Sequence, residues 1–197
     1  MDHQEPVVVD AAALAGVPDE LQRLWTPFRM AYIDGENKPA DSSAGECPFC
    51  HAPRVADEDS LIVRRGRRAY AVLNLYPYNP GHLLVCPYRH VSDYVDLDAE
   101  ETAEFTELTR QALRVIGAVS APAGFNIGIN QGTAAGAGIA AHLHQHVVPR
   151  WPGDSNFLPI IGRTKALPQL LGDTRQRLAD GWTQLYGPAD ASASAHA

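Results

Sequence analysis

The sequence predicts an α+β domain: an antiparallel five-stranded sheet with helices packed on one side. Two observations predict the layers. Short apolar stretches bounded by Gly, Pro and Asn recur in the order β-β-β-α-β-β. Within residues 46–188 the apolar period changes from two to 3.6 after Asp98 and again near the C-terminus. A third concerns size: 197 residues with 45% hydrophobic content suit one domain with one core.

Residues 1–45 form an N-terminal extension, residues 46–188 the domain, and residues 189–197 a disordered Ala/Ser tail. Residues 1–16 are Ala/Val-rich without a clear period and read as a partly ordered arm. Pro18-Asp19-Glu20 opens a short helix, with Leu21, Leu24, Trp25 and Phe28 at helical spacing until Pro27 ends or kinks it. Residues 34–46 are a Gly/Pro/Ser-rich loop. Leu61-Ile62-Val63 and Ala69–Leu73 flank Arg65-Gly66-Arg67, a candidate hairpin turn. After the turn Asn79-Pro80-Gly81 comes a buried strand, His82–Cys86.

Asp98 caps a long amphipathic helix whose apolar face carries Phe105, Leu108, Ala112, Val115 and Ile116. Gly124–Asn130 alternates Phe125, Ile127 and Ile129 with polar or small residues, as a strand does. A final helix runs from about Pro168 to Tyr186, with Leu170, Leu171, Leu178, Trp182 and Leu185.

Between these last elements lies His142-Leu143-His144-Gln145-His146, three histidines at two-residue intervals. On a strand, alternate residues share a face, so the three imidazoles are expected to line one wall. Such a wall serves as a metal site, as a nucleophile with helpers, or as both. Ahead of it, Gly132-Thr133-Ala134-Ala135-Gly136-Ala137-Gly138 is almost bare of side chains and suits an anion-binding nest, although a flexible linker looks the same.

The spacing of His142, His144 and His146, with Asn130-Gln131-Gly132 before it and Pro149-Arg150-Trp151 after it, resembles the histidine triad (HIT) superfamily of nucleotide hydrolases and transferases. Ala71–Asn74 and Tyr78–Pro87 resemble the strand–turn–strand of the same family, so the likeness spans roughly residues 46–165. It is closest to the actinobacterial diadenosine tetraphosphate (Ap4A) phosphorylases, through Leu24-Trp25-Thr26-Pro27 and Ile160-Ile161-Gly162 as well. One departure is Gln145, at a position that is usually apolar; it is expected to face away from the histidines.

The resemblance implies that His144 is the nucleophile at the α-phosphate, forming a nucleotidyl-His144 intermediate that phosphate or water resolves. His146, Gln131 and the backbone N–H groups of Gly132 to Gly138 are the candidate donors for the phosphoryl oxygens. His142 and His82 complete the catalytic set, and an ordinary core histidine is an equal reading of His82. Asn74 matches a ribose-contacting position, though it also reads as a polar strand end. Asn130, Gln131, Gly132, Gly136, Ala137 and Gly138 correspond to the phosphate loop, where Ala137-Gly138 replaces a Gly-Ser pair. Trp151, and with less support Tyr76 and Tyr78, offer aromatic faces for a base or serve as packing. The family is typically a homodimer whose two sheets join.

Cys47-Pro48-Phe49-Cys50 is half a zinc site. The resemblance supplies His90 and His142 as the other two ligands of a structural zinc; free thiols with a surface His90 are the alternative, and His51 is a rival ligand. A divalent cation accompanying the substrate also belongs to the expectation.

Three reactions or roles follow: phosphorolysis of Ap4A, hydrolysis of dinucleoside polyphosphates or nucleoside phosphoramidates, and nucleotide sensing without turnover. A net charge of −7 and no basic tract argue against nucleic acid as the partner. No apolar run approaches the ~20 residues that span a bilayer, no signal peptide is visible, and three cysteines make no secreted disulfide framework. The cytoplasm is the expected compartment.

Overall fold

The structure, a computed structural model, describes residues 43–45, 47–154 and 169–189. The arm, the helix expected from Pro18, the segment Ile160-Ile161-Gly162 and most of the tail lie outside the described residues.

Five strands form one antiparallel sheet: β1 (Ile62–Arg65), β2 (Ala69–Leu73), β3 (Leu83–Pro87), β4 (Gly124–Ile129) and β5 (Gln145–Arg150). Their order is β1-β2-β3-β5-β4, which leaves β1 and β4 at the edges. The predicted hairpin is present, closed by Gly66 N–H donating to the Ala69 carbonyl at 2.9 Å. The Asn79-Pro80-Gly81 turn enters β3 through Gly81 at φ +78°, a conformation that suits glycine.

Among the described residues, four α-helices accompany the sheet: α1 (Pro48–His51), α2 (Asp57–Ser60), α3 (Ala99–Ser120) and α4 (Leu171–Tyr186). Asp98 caps α3 in a full capping box with Glu101. The two long helices share one face of the sheet. There Phe105, Leu108, Ala112, Val115 and Ile116 of α3 and Leu178 and Trp182 of α4 meet Val63, Ala71, Leu73, Leu83, Val85 and Val147. Gly181 makes this close approach possible, because a Cβ there would lie 2.6 Å from Val119.

The opposite face carries Ile62, Tyr70, Val72, Leu84 and Cys86, packed against Phe49 and Ala52 at the Cys-x-x-Cys turn. That turn is tied to the sheet by the Tyr70 hydroxyl, which donates to the Phe49 carbonyl at 2.6 Å. The long helices therefore obey the one-sided arrangement, and the short α1 covers the face where the histidines lie.

The triad strand is shorter than its spacing implies. β5 begins at Gln145, so His146 alone of the three histidines is in the strand. The register pairs Leu84 with His146 and Val85 with Gln145. Continuing it would set Leu143 opposite Pro87, which has no N–H to offer the ladder. Leu143 instead donates its N–H to the Val91 carbonyl at 2.6 Å.

Candidate active site

His142, in a bend, and His144 precede β5, yet the three rings stay on the face that bears Leu84. His144 and His146 stand 5.1 Å apart, edge to face, and the Phe49 ring lies 5.5 Å from His142 and 5.0 Å from His144. The partner atoms assign the neutral tautomer of each histidine. The His144 Nδ1 is 2.8 Å from the His142 carbonyl, which can only accept, so Nδ1 carries the proton and Nε2 keeps its lone pair. The His142 Nε2 donates to the Pro87 carbonyl at 3.0 Å, so its lone pair is on Nδ1.

His82 is assigned from the other side. Its Nδ1 accepts the Tyr78 N–H at 3.0 Å and lies 3.4 Å from the Asn74 Nδ2. Its Nε2–H then donates to the His146 Nδ1 at 2.9 Å, which leaves His146 with its proton on Nε2. His82 lies just ahead of β3 and is fully buried. Asn74, matched to a ribose contact by resemblance, accepts the Tyr76 N–H at 3.0 Å on Oδ1 and so presents its amide NH2 to His82.

Burial keeps these rings neutral. Desolvation, only partly offset by the Pro87 carbonyl, holds the His142 imidazole down at about 4, and desolvation with the neighbouring His144 holds His146 at about 4. The His144 imidazole is also lowered by burial, against the opposing pull of the His142 carbonyl.

A cavity of about 340 Å³ lies beside His146, lined by Tyr78, Asn79, Asn126, Ile127, Gly128, Asn130, Val148 and Arg150 as well. Of the residues the sequence offered for the nucleotide, Asn130 and Tyr78 line it. Gln131 is exposed, and its Oε1 accepts the Tyr94 N–H at 3.0 Å. The phosphate loop coils into a 3-10 turn over Thr133–Ala135, with Gly132 and Gly136 at φ +78° and +80° and Ala137 buried. The turn uses the N–H groups of Ala135 and Gly136 on the carbonyls of Gly132 and Thr133, which removes those two from the expected nest. Gly138 follows, half-buried. Trp151 is half-buried outside the lining and donates its N–H to Asp154 at 3.1 Å.

The sequence reasoning missed Phe49, Asn126 and Arg150. Phe49 was legible only as the spacer of Cys-x-x-Cys. Asn126 was legible only as an alternating strand position and Arg150 only as a member of Pro149-Arg150-Trp151; both lie on the face shared with His146.

The four predicted metal ligands converge. One donor atom from each of Cys47, Cys50, His90 and His142 lies within 4.8 Å of the others, a cluster able to hold a metal ion. The His142 Nδ1, the nitrogen with the lone pair, is 3.4 Å from both sulfurs, and the His90 Nδ1 is 3.3 Å from the Cys50 Sγ. A tetrahedral ion with Zn–S near 2.3 Å and Zn–N near 2.0 Å separates S from N by about 3.5 Å. Burial and the adjacent Cys47 push the Cys50 thiol up to about 11, so a thiolate there needs a cation beside it. His51 is not part of the cluster.

No helix among the described residues is long and apolar enough to cross a membrane. A family profile described as the HIT domain matches residues 56–153. The chain is 54% identical over 172 residues to an AP-4-A phosphorylase of Mycobacterium tuberculosis, covering 86% of this chain and 88% of that protein. It is 36% identical over 95 residues to the asymmetrical bis(5'-nucleosyl)-tetraphosphatase of Schizosaccharomyces pombe, covering 48% of this chain and 52% of that protein. Among solved structures, a Zn-bound histidine triad family protein from Mycobacterium smegmatis superposes with a TM-score of 0.59 at 24% identity, over 73% of this chain and 97% of that one. The profile match and the identity across most of both chains agree, and the chain belongs to the histidine triad (HIT) family.

Proposed function

We propose that this protein cleaves dinucleoside polyphosphates such as Ap4A by phosphorolysis, through a nucleotidyl-His144 intermediate. The observation that carries the reading is the fixed tautomer of His144: the His142 carbonyl holds the proton on Nδ1 and leaves Nε2 as a nucleophile without a separate base. The Nε2 lone pair attacks the α-phosphorus in line, an N–P bond forms, and the P–O bond to the leaving nucleotide breaks. His146, with its proton on Nε2, donates to the oxygens that gather charge. A phosphate oxygen then attacks the same phosphorus, the N–P bond breaks, and the products are ADP and ATP.

Phosphate is preferred over water as acceptor because the relative that is 54% identical over 172 residues is an AP-4-A phosphorylase. The test is Ap4A incubated with and without inorganic phosphate. Phosphate-dependent ADP plus ATP is the expected result; AMP plus ATP regardless of phosphate assigns an asymmetrical hydrolase, and no product overturns the enzymatic reading.

The donor set suits zinc, held by Cys47, Cys50, His90 and His142 in a closed Cys2His2 site that fixes the chain leading to His144 and does no chemistry. We also assign a homodimer whose two sheets join, a divalent cation accompanying the polyphosphate, and a cytoplasmic setting without nucleic-acid partners.

A further inference from the structure

The hollow beside His146 has an unused end. Along β5, His146, Val148 and Arg150 alternate onto one face, and the register sets Gly128 opposite His146 and Asn126 opposite Val148. Gly128 is its floor: a Cβ built there meets nothing within 4 Å, so packing does not require glycine and the space above it is open. Among the described residues, Arg150 is the only permanent cation lining it.

This arginine is held in place. Its Nε and Nη2 donate to both oxygens of Asp154 at 2.7 and 2.9 Å, and its Nη1 donates to the Asn126 Oδ1 at 2.6 Å. The side chains differ in exposure: Arg150 is 44% exposed and Asp154 10%. Asp154 also accepts from the Asn79 Nδ2 at 2.6 Å and the Trp151 N–H at 3.1 Å, so its charge is met behind the guanidinium. Three of five guanidinium N–H groups are thereby used, and two remain. The bond from Arg150 fixes the Asn126 amide with its NH2 as donor.

We propose that Arg150, oriented by Asp154 and Asn126, binds the polyphosphate of the leaving nucleotide and selects for its length. The inference rests on His144 attacking the α-phosphate with His146 beside the departing oxygen. From there the leaving chain runs over Gly128 and Val148. Arg150 lies four residues beyond His146, roughly 13 Å along an extended strand. The guanidinium itself reaches back to the Asn126 side chain, opposite Val148, two residues or about 7 Å along the strand from His146, so it meets phosphates beyond the first of a leaving chain. A planar, fixed fork of donors is the group that recognises phosphoryl oxygens.

The test compares wild type with Arg150→Met and Gly128→Val. Calorimetry measures ATP and AMP binding, and kinetics measures kcat/KM for Ap4A and for adenosine 5'-phosphoramidate, whose leaving group carries no phosphate. Both variants are expected to weaken ATP about tenfold more than AMP, and to lower kcat/KM for Ap4A about tenfold more than for the phosphoramidate. Equal losses on long and short ligands, or no loss on either, overturn the assignment. Failure of wild type to turn over any substrate overturns the catalytic reading instead, and the ATP-against-AMP comparison still decides Arg150.

Discussion

His82 Nε2 lies 2.9 Å from His146 Nδ1, while the other nitrogen of His82 is occupied by the Tyr78 N–H at 3.0 Å. A backbone amide thus sets the protonation of a ring two steps away. Replacing His82 by Leu keeps the volume apolar but removes the donor, so His146 loses its preference for the Nε2–H form. The expected outcome is a fall in kcat of about 10- to 100-fold with a smaller change in KM, comparable to loss of a supporting partner. Steady-state kinetics on Ap4A checks it; an unchanged kcat assigns His82 to packing alone.

The same burial makes the fold sensitive to acid. His146 is held at about 4, below the ordinary 6.5. Between those values the unfolded chain binds more protons than the folded one, so stability rises with pH. The stability is fully present above about 6.5 and lost as pH falls through about 4, on the order of 2–3 kcal/mol for this ring. Urea unfolding of wild type and His146→Asn at pH 7 and pH 4.5 should show a smaller drop in the variant. Equal drops rule out this ring as the source.

His144→Ala removes the nucleophile while leaving His146 and the cavity in place. Turnover should fall by at least about 10⁴-fold, since no neighbouring group replaces a covalent step. Wild type quenched in acid-free denaturant during turnover should carry one nucleotidyl mass by intact-protein spectrometry, absent from His144→Ala. Substantial residual turnover in the variant would point to direct attack by the acceptor.

Gln145 shows what the sequence could and could not disclose. Its departure from an apolar pattern was legible, and period-two alternation places it away from the histidines. The structure gives the partner: its Nε2 donates to the Thr109 Oγ1 on α3 at 2.8 Å, a contact between residues 36 apart that no local pattern encodes. The strands, the α3 cap and the apolar faces were legible for the same reason, because each is periodic or local. The early end of the triad ladder was not, since it depends on Pro87 standing opposite Leu143 across two strands. Nor was the Arg150–Asn126 pairing, which depends on register. Gln145→Ala should cost about 1 kcal/mol of stability by chemical denaturation and change kcat/KM less than about twofold. A large kinetic effect would mean that α3 positions the triad.

The metal cluster makes the sharpest demand on the fold. Cys47 is fully buried and Cys50 nearly so, in a turn whose intervening Phe49 packs on His142 and His144. Two buried thiols and an imidazole lone pair gain little from one another without a cation, so the site should be filled in protein purified without chelator. Metal analysis should return one zinc per chain. Cys47→Ser should lose most of it and several degrees of melting temperature together, because ligand binding free energy is folding free energy. Its kcat should fall as well, since the Phe49 ring and the His142 carbonyl that fixes His144 both depend on this turn. Stoichiometric zinc in wild type with an unaltered melting temperature in Cys47→Ser would place the ion elsewhere. Metal-free wild type of full stability would reduce the cluster to a pair of inert thiols.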